Sequence, residues 1–271
     1  MSLGTVVLTG AAGRIGSVLR EPLRREAERL VLVDRVPLTA EAPNEEARTA
    51  DLTDPDAAVP LVEGADGIVH LAGVPGEAPL PDLVEGNVLA THHVLEAARR
   101  AGVPRVVLAS SNHLTGHYPR SRRVSPDLPP RPDGLYGVSK VVVEALGRLY
   151  ADRFGLQVVC LRIGSFEAEP TESRHLATWL SHRDGAGFVR AALTLPGVDF
   201  LTVYAVSDNS RRFWELSDEI GYVPRDDAEE YAARIPDADA FFTGDPIQGG
   251  DPAGSGTASR RATGAACPRG A

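Results

Sequence analysis

The stretch Thr5-Val6-Val7-Leu8-Thr9-Gly10-Ala11-Ala12-Gly13-Arg14-Ile15-Gly16 decides the fold of this 271-residue chain. Its β-branched apolar run, residues 5–9, predicts a short buried strand that stops at Gly10. A helical pattern follows over residues 15–28, and then a second apolar run, Leu30-Val31-Leu32-Val33-Asp34. Strand, Gly-rich turn, helix and strand make one βαβ unit. Runs without polar alternation suit parallel strands covered on both faces. The alternation continues with strands at Gly67-Ile68-Val69-His70-Leu71, at residues 105–110 and at residues 157–162. Helical patterns separate them at residues 84–101 and 136–154, and a third strand position precedes Asp51. The pattern predicts an α/β protein with a doubly wound parallel sheet and right-handed crossovers.

After Ser165 the alternation breaks. Residues 166–243 hold Trp179, Trp214, short helical patterns and one strand candidate at 200–206. The expected plan is a dinucleotide-binding Rossmann domain over 1–165 and a small substrate-binding region over 166–243, with a strand returned to the sheet. From Gly249 onward Gly, Ala, Pro, Ser and Thr dominate without periodicity, so residues 244–271 are expected to be a disordered tail, too poor in apolar surface to offset its ordering entropy.

Composition narrows the function classes. Hydrophobic residues are 43% and charged residues 24% of the chain, the balance of a globular protein. A net charge of -9 disfavours a nucleic-acid partner, which asks for a basic face. No apolar run approaches the roughly 18 residues of a membrane span. The first strand starts so early that no signal peptide is expected, and two cysteines, Cys160 and Cys267, give neither a disulfide framework nor zinc spacing. A cytoplasmic, metal-independent protein is expected. His92 and His93 point in different directions on a helix and make a poor metal pair. His70 and Cys160 read as core residues.

The Gly-rich turn is a candidate dinucleotide site. Gly10 permits the tight turn, Gly13 lets the backbone approach a pyrophosphate, and Gly16 lets the helix pack close to the sheet. The amides of the helix start, around Ala12, Arg14 and Ile15, and the positive end of its dipole favour phosphate. Asp34 ends the second strand where an acid accepts bonds from the adenosine ribose, and it would repel a 2′-phosphate, so NAD is favoured over NADP. Arg35 beside it suits a 2′-phosphate and pulls the other way. Asp51 and Leu52 either flank the adenine or begin the next helix. Leu71, Ala72 and Gly73, beyond the fourth strand, either lie against the cofactor or form a plain turn.

Tyr136 and Lys140 stand four residues apart on one helical face. A tyrosine acting as a base near neutral pH needs its pKa of about 10 lowered by about three, or about 4 kcal/mol, and a neighbouring ammonium favours the phenolate. Ser110-Ser111-Asn112-His113 lies where the fifth strand ends, at the edge where doubly wound sheets bind ligands. A Gly-rich turn, an acid, a Ser at a strand end and Tyr-x-x-x-Lys on the next helix, in this order, resemble the extended short-chain dehydrogenase/reductase family over residues 4 to about 230. The resemblance implies a catalytic set of Ser111, Tyr136 and Lys140, with Lys140 also holding the nicotinamide ribose. Ser110 and Ser139 are then structural neighbours.

Within that family, longer segments are similar to the uronate dehydrogenases. They are Ser110-Ser111-Asn112-His113, Gly116-His117-Tyr118-Pro119, residues 131–140, Arg162-Ile163-Gly164-Ser165, Glu169-Pro170, Arg174 and Thr178-Trp179-Leu180-Ser181-His182. That resemblance implies NAD⁺-dependent oxidation of glucuronate or galacturonate at C1 to the aldarolactone. A uronate carries its carboxylate remote from C1, so its site needs a fixed cation, and Arg174 offers a bidentate fork. Asn112, His113 and Ser165 would contact sugar hydroxyls or the carboxylate, or His113 would only bond backbone. Pro75 stands where the family's loop carries a Ser, so one sugar contact is missing or replaced. A homo-oligomer is expected by resemblance alone. Two other enzyme readings stay open, a nucleotide-sugar epimerase or dehydratase and a dehydrogenase of another free sugar. A non-catalytic NAD(H) sensor is a third reading, disfavoured by the intact Tyr136 and Lys140.

Overall fold

The structure, a computed structural model, describes residues 2–243 and 247–250. Strand β1 (Thr5–Thr9) runs into helix α1 (Arg14–Glu26), followed by β2 (Arg29–Asp34), β3 (Glu45–Thr49), α2 (Val59–Val62) and β4 (Gly67–His70). A long helical stretch comes next. It starts as α3 (Leu80–Leu83), widens into π-helix over Val84–Leu89 and continues as α4 (Ala90–Ala101). Then come β5 (Arg105–Ser111), α5 (Leu135–Phe154) and β6 (Gln157–Ile163). The strands form a seven-stranded sheet in the order β3-β2-β1-β4-β5-β6-β9, where β9 is Phe200–Ala205, and every neighbouring pair is parallel. The chain runs outward from β1 through β2 to β3 and then crosses back to β4. This makes the β1/β4 boundary the switch point at which such sheets open a crevice.

Both faces of the central strands are covered, which is why their sequences lack polar alternation. Val7, Val31, Ile68, Val106 and Val158 face Val94 and Leu95 of α4 and Val143 and Tyr150 of α5. Their neighbours Val6, Leu8, Leu32, Val69, Val107 and Val159 face Leu19 and Leu23 of α1. The same face is covered by Phe188, Val189 and Ala192 of a further helix, α7 (His182–Thr194), reached through β7 (Ser165–Phe166), α6 (His175–Thr178) and β8 (Trp179–Leu180). Residues 182–205 therefore complete the sheet's layers. The remaining part of 166–243, which ends in α8 (Ala240–Thr243), forms two small clusters around Trp214 with Tyr204 and around Trp179 with Leu176.

The third strand is polar in sequence, Glu-Glu-Ala-Arg-Thr, because it sits on the sheet edge with only one side toward the body. Its one buried side chain, Glu45, takes a two-pronged bond from Arg20 of α1, at 3.0 and 2.6 Å, in place of apolar packing. The expected tail is also corrected in part. Residues 247–250 pack on the body, with Gln248 fully buried, because its side-chain amide meets three partners there. Residues 244–246 and 251–271, with Cys267, lie outside the described residues. Among the described residues no helix is long and apolar enough to cross a membrane.

One buried ion pair ties α5 to the sheet. Arg162 of β6 donates from Nε and Nη2 to the two oxygens of Glu144, both at 2.9 Å, and Ser110 Oγ donates to the same carboxylate at 2.5 Å. Removing one partner leaves the other charge buried without compensation. Glu144→Ala should therefore lower the unfolding free energy by about 3–5 kcal/mol, read from denaturant midpoints. A loss below about 1 kcal/mol would show that solvent already reaches the pair.

Candidate active site

One cleft of about 810 Å³ opens over the β1/β4 boundary, and every residue singled out from the sequence for cofactor, catalysis or substrate lines it. At one end lie Gly10, Ala12, Gly13, Arg14, Ile15 and Gly16, with Asp34, Asp51 and Leu52 beyond. Leu71, Ala72 and Gly73 form the middle. Ser111, Asn112, His113, Tyr136, Lys140, Ser165 and Arg174 form the other end, together with Pro75 and His175.

Space dictates glycine in the turn. Gly10 has φ +70°, and a Cβ there would meet the Ala72 backbone nitrogen at 2.7 Å; a Cβ on Gly16 would lie 2.2 Å from the Gly10 carbonyl oxygen. Helix α1 starts with no side-chain cap and no acid in its first turn. Its first amides are thus free of a side-chain cap, which fits a pyrophosphate. The Asp34 carboxylate accepts from the Ala12 amide at 2.9 Å and from the Val36 amide at 3.0 Å, so it is held at the turn where a ribose would lie. Asp51 accepts from the Thr53 amide and hydroxyl at 3.0 and 2.8 Å, and those bonds hold its pKa below the usual carboxylate range. Arg14 crosses the cleft to pair with Glu167 at 2.6 Å.

The catalytic end is built by β5 and α5. Tyr136 stands in the first turn of α5, whose start is held by Glu77 accepting from the Tyr136 amide at 2.9 Å. Burial raises the Tyr136 phenol pKa, and the hydroxyl of Ser111, the last residue of β5, opposes that rise. Lys140, one turn below, donates to the Ala109 carbonyl at 2.9 Å and lies 5.6 Å from the Tyr136 ring centroid. Burial pulls its pKa down to about 8.

At the substrate end, His113 Nδ1 meets the buried Asp133 carboxylate at 2.8 Å, so its bond is to a side chain and not to backbone. Arg174 Nη1 donates to Ser165 Oγ at 3.2 Å, while its Nε and Nη2 are shielded from solvent and have no protein partner. Burial draws the Arg174 pKa down, opposed by the charges of Asp133 and Glu172.

His70, Ser110 and Ser139 have protein partners of their own. His70 lies between the Thr9 and Thr91 hydroxyls at 2.8 and 3.2 Å, and burial lowers its pKa to about 3, so it is neutral. Ser110 bonds Glu144, and Ser139 bonds Asn87. Among the described residues no cluster of three or more His, Cys, Asp or Glu is arranged to hold a metal.

Sequence reasoning missed Asn87, Glu77, Asp133 and Glu144. Asn87 accepts from the Val74 amide at 2.7 Å and donates to Ser139 Oγ at 2.9 Å, tying the loop after β4 to α5. Its signal was a polar residue at a core position of the apolar stripe Leu83, Asn87, Val94. Glu144 continues the four-residue spacing of Tyr136 and Lys140. Glu77 and Asp133 sit in loops; Asp133 falls in the similar segment 131–140, but nothing in its local spacing assigns it a partner.

A lysine with a folded pKa near 8 and an unfolded value of about 10.4 binds fewer protons folded than unfolded between those values, so stability rises with pH across that window. Below it, the wild type carries the full cost of a buried charge. Lys140→Met should therefore melt no lower than the wild type at pH 7, and its advantage should shrink from pH 8 to 10. A wild type clearly more stable than the variant at pH 7 would refute this.

The NAD dependent epimerase/dehydratase family matches residues 6–195. A uronate dehydrogenase of Agrobacterium fabrum is 43% identical over 85% of this chain and 88% of its own length. One of Pseudomonas putida is 41% identical over 90% and 94%. A variant uronate dehydrogenase from Agrobacterium tumefaciens, solved in complex with NAD, superposes with a TM-score of 0.86 at 41% identity over 91% of this chain and 96% of that one. With its switch-point cleft and Tyr136–Lys140 helix, the chain belongs to the NAD dependent epimerase/dehydratase family, in the branch of the uronate dehydrogenases, and is an NAD-dependent oxidoreductase.

Proposed function

We propose that this enzyme oxidises a free hexuronic acid, glucuronate or galacturonate, at C1 to the aldarolactone. The observation that carries the reading is Arg174: two guanidinium donors on one edge, shielded from water and unpartnered, at the cleft end beyond Tyr136. A carboxylate offers two acceptors at matching spacing and supplies the charge that this buried edge lacks. Ser165, bonded to Arg174 Nη1, holds the fork in place.

With the carboxylate on Arg174, C1 lies toward Tyr136 and Ser111. Ser111 Oγ orients the C1 hydroxyl, and the Tyr136 oxygen takes its proton as the C1–H bond breaks. Lys140 holds the nicotinamide ribose and adds positive charge beside the phenolate. NAD⁺, when bound, accepts the hydride from C1. Because C1 is a hemiacetal carbon, loss of hydride and proton gives the lactone directly. Asp34 takes the adenosine ribose hydroxyls, and Asn112 and His113 contact sugar hydroxyls. The phenolate is the working form, so the rate rises with pH while Lys140 keeps its proton.

Purified protein given NAD⁺ with glucuronate, galacturonate or glucose should form NADH with the uronates and not with glucose. No NADH from any of them, with NAD retained in the purified protein, would replace this reading with an epimerase. Pro75 lines the cleft without a side-chain donor and favours, as a second reading, a dehydrogenase of another free sugar. NADH from glucose at the uronate rate would select it. Arg174→Ala should raise the uronate KM by about 100-fold, the worth of a charge-assisted bond of about 3 kcal/mol, with NAD affinity unchanged. An unaltered KM would place the carboxylate elsewhere.

The same proposal includes a homo-oligomer. Leu80, Val84, Leu135, Val138, Val142 and Leu149 are exposed apolar residues on α3, the π-segment and α5, which pack side by side. A second copy covering this stripe would remove it from water. Val138→Arg with Val142→Arg should reduce the mass in light scattering toward the 28.7 kDa monomer. An unchanged mass would move the interface off this face.

A further inference from the structure

Residues 247–250 reach the substrate end of the cleft from outside. Ile247 forms an antiparallel bridge with Pro119, and Arg120 Nε donates to its carbonyl at 3.1 Å. Gln248 is fully buried: its amide oxygen accepts from Trp214 Nε1 at 3.0 Å, and its amide nitrogen donates to the carbonyls of Pro119 at 3.0 Å and Arg122 at 2.8 Å. Its backbone N–H also donates to the Tyr118 carbonyl at 2.9 Å. A fully satisfied buried amide fixes the chain at this point.

The next residue, Gly249, donates its N–H to the Gly116 carbonyl at 2.9 Å. A Cβ on Gly249 would fall 1.6 Å from Asp133 Oδ2, and one on Gly116 would fall 1.9 Å from the same atom. Asp133 is thus wedged between two glycine backbones, and this oxygen is the one that meets His113 Nδ1. At Gly250, which has φ +72°, a Cβ would lie 3.5 Å from Arg174 Cδ and 3.6 Å from its Nε. Three consecutive residues therefore anchor, wedge Asp133 and back Arg174, while His113 and Arg174 face the cleft.

We propose that residues 248–250 are a positioning element for the sugar acid, with Gln248 the anchor, Gly249 the lock on the Asp133–His113 pair and Gly250 the backing of Arg174. Substrate affinity then depends on backbone that forms no part of the cleft wall. The inference rests on the uronate reading above. A side chain at 249 displaces the Asp133 carboxylate, freeing His113 from its partner without touching the cofactor end.

The test measures NAD affinity, melting temperature, kcat and uronate KM for Gly249→Ala and Gln248→Ala in the full chain. Both should raise the uronate KM at least tenfold with NAD affinity within twofold of wild type. In an Asp133→Ala background, Gly249→Ala should cost less than twofold, because the atom it strikes is gone. A merely structural role would give the same cost in both backgrounds and weaken NAD binding in parallel, and that result overturns the proposal. So does a uronate KM within twofold of wild type in either variant that still binds NAD. If Gly249→Ala fails to fold, Gln248→Ala decides by the same criterion. A wild type that makes NADH from no uronate overturns the functional reading itself and this inference with it; an active wild type with an indifferent Gly249→Ala overturns the inference alone.

Discussion

The carboxylate of Glu144 is the point to which the catalytic end is referred. It holds Arg162 of β6 and Ser110 of β5 at once, from a helix that carries Lys140 one turn earlier and Tyr136 two turns earlier. Because Ser111 follows Ser110 directly, this buried clamp ties the strand end that carries Ser111 to the helix that carries Tyr136. A helix lying on apolar side chains alone has several nearly equivalent seats. A bidentate pair in low dielectric has one, and the geometry is enforced by the cost of leaving either charge unpaired.

The cofactor end is ruled by close approach. The Gly10 turn lies against the backbone at Ala72, and α1 lies against the Gly10 carbonyl. Neither contact leaves room for a side chain. Asn87, turned inward from a π-helical segment, then couples the loop beyond Gly73 to Ser139 on the catalytic helix. Cofactor cradle and catalytic helix are therefore held by one short chain of bonds, and a widened helical turn supplies the residue that makes it.

The electrostatics of the cleft are those of charges placed where water is scarce. Lys140 and Arg174 are both drawn below their ordinary pKa by burial, and Tyr136 is drawn up. Each shift marks a group whose charge a suitable partner would stabilise. His70 beneath them stays neutral between two threonines, so no further positive charge is added below Lys140.

The sequence by itself determined the parallel α/β architecture and named many of the residues that line the cleft. Short, β-branched apolar runs bounded by turn residues suit strands covered on both faces, and the glycines at 10, 13 and 16 with Asp34, Tyr136 and Lys140 are bound by local spacing that a linear reading detects. It placed a third strand before Asp51 but did not show what holds it, since its edge position asks for no apolar pattern and its buried Glu45 is paired with an arginine 25 residues earlier. Nor did it show the setting of Asp133, wedged by glycines 17 residues before and 116 residues after it, or the packed segment at 247–250 inside a stretch of tail-like composition. Those features are products of tertiary contact. A polar side chain becomes a fixed part of a site only when distant backbone excludes water from it and supplies its partners, and composition within a window carries no record of that.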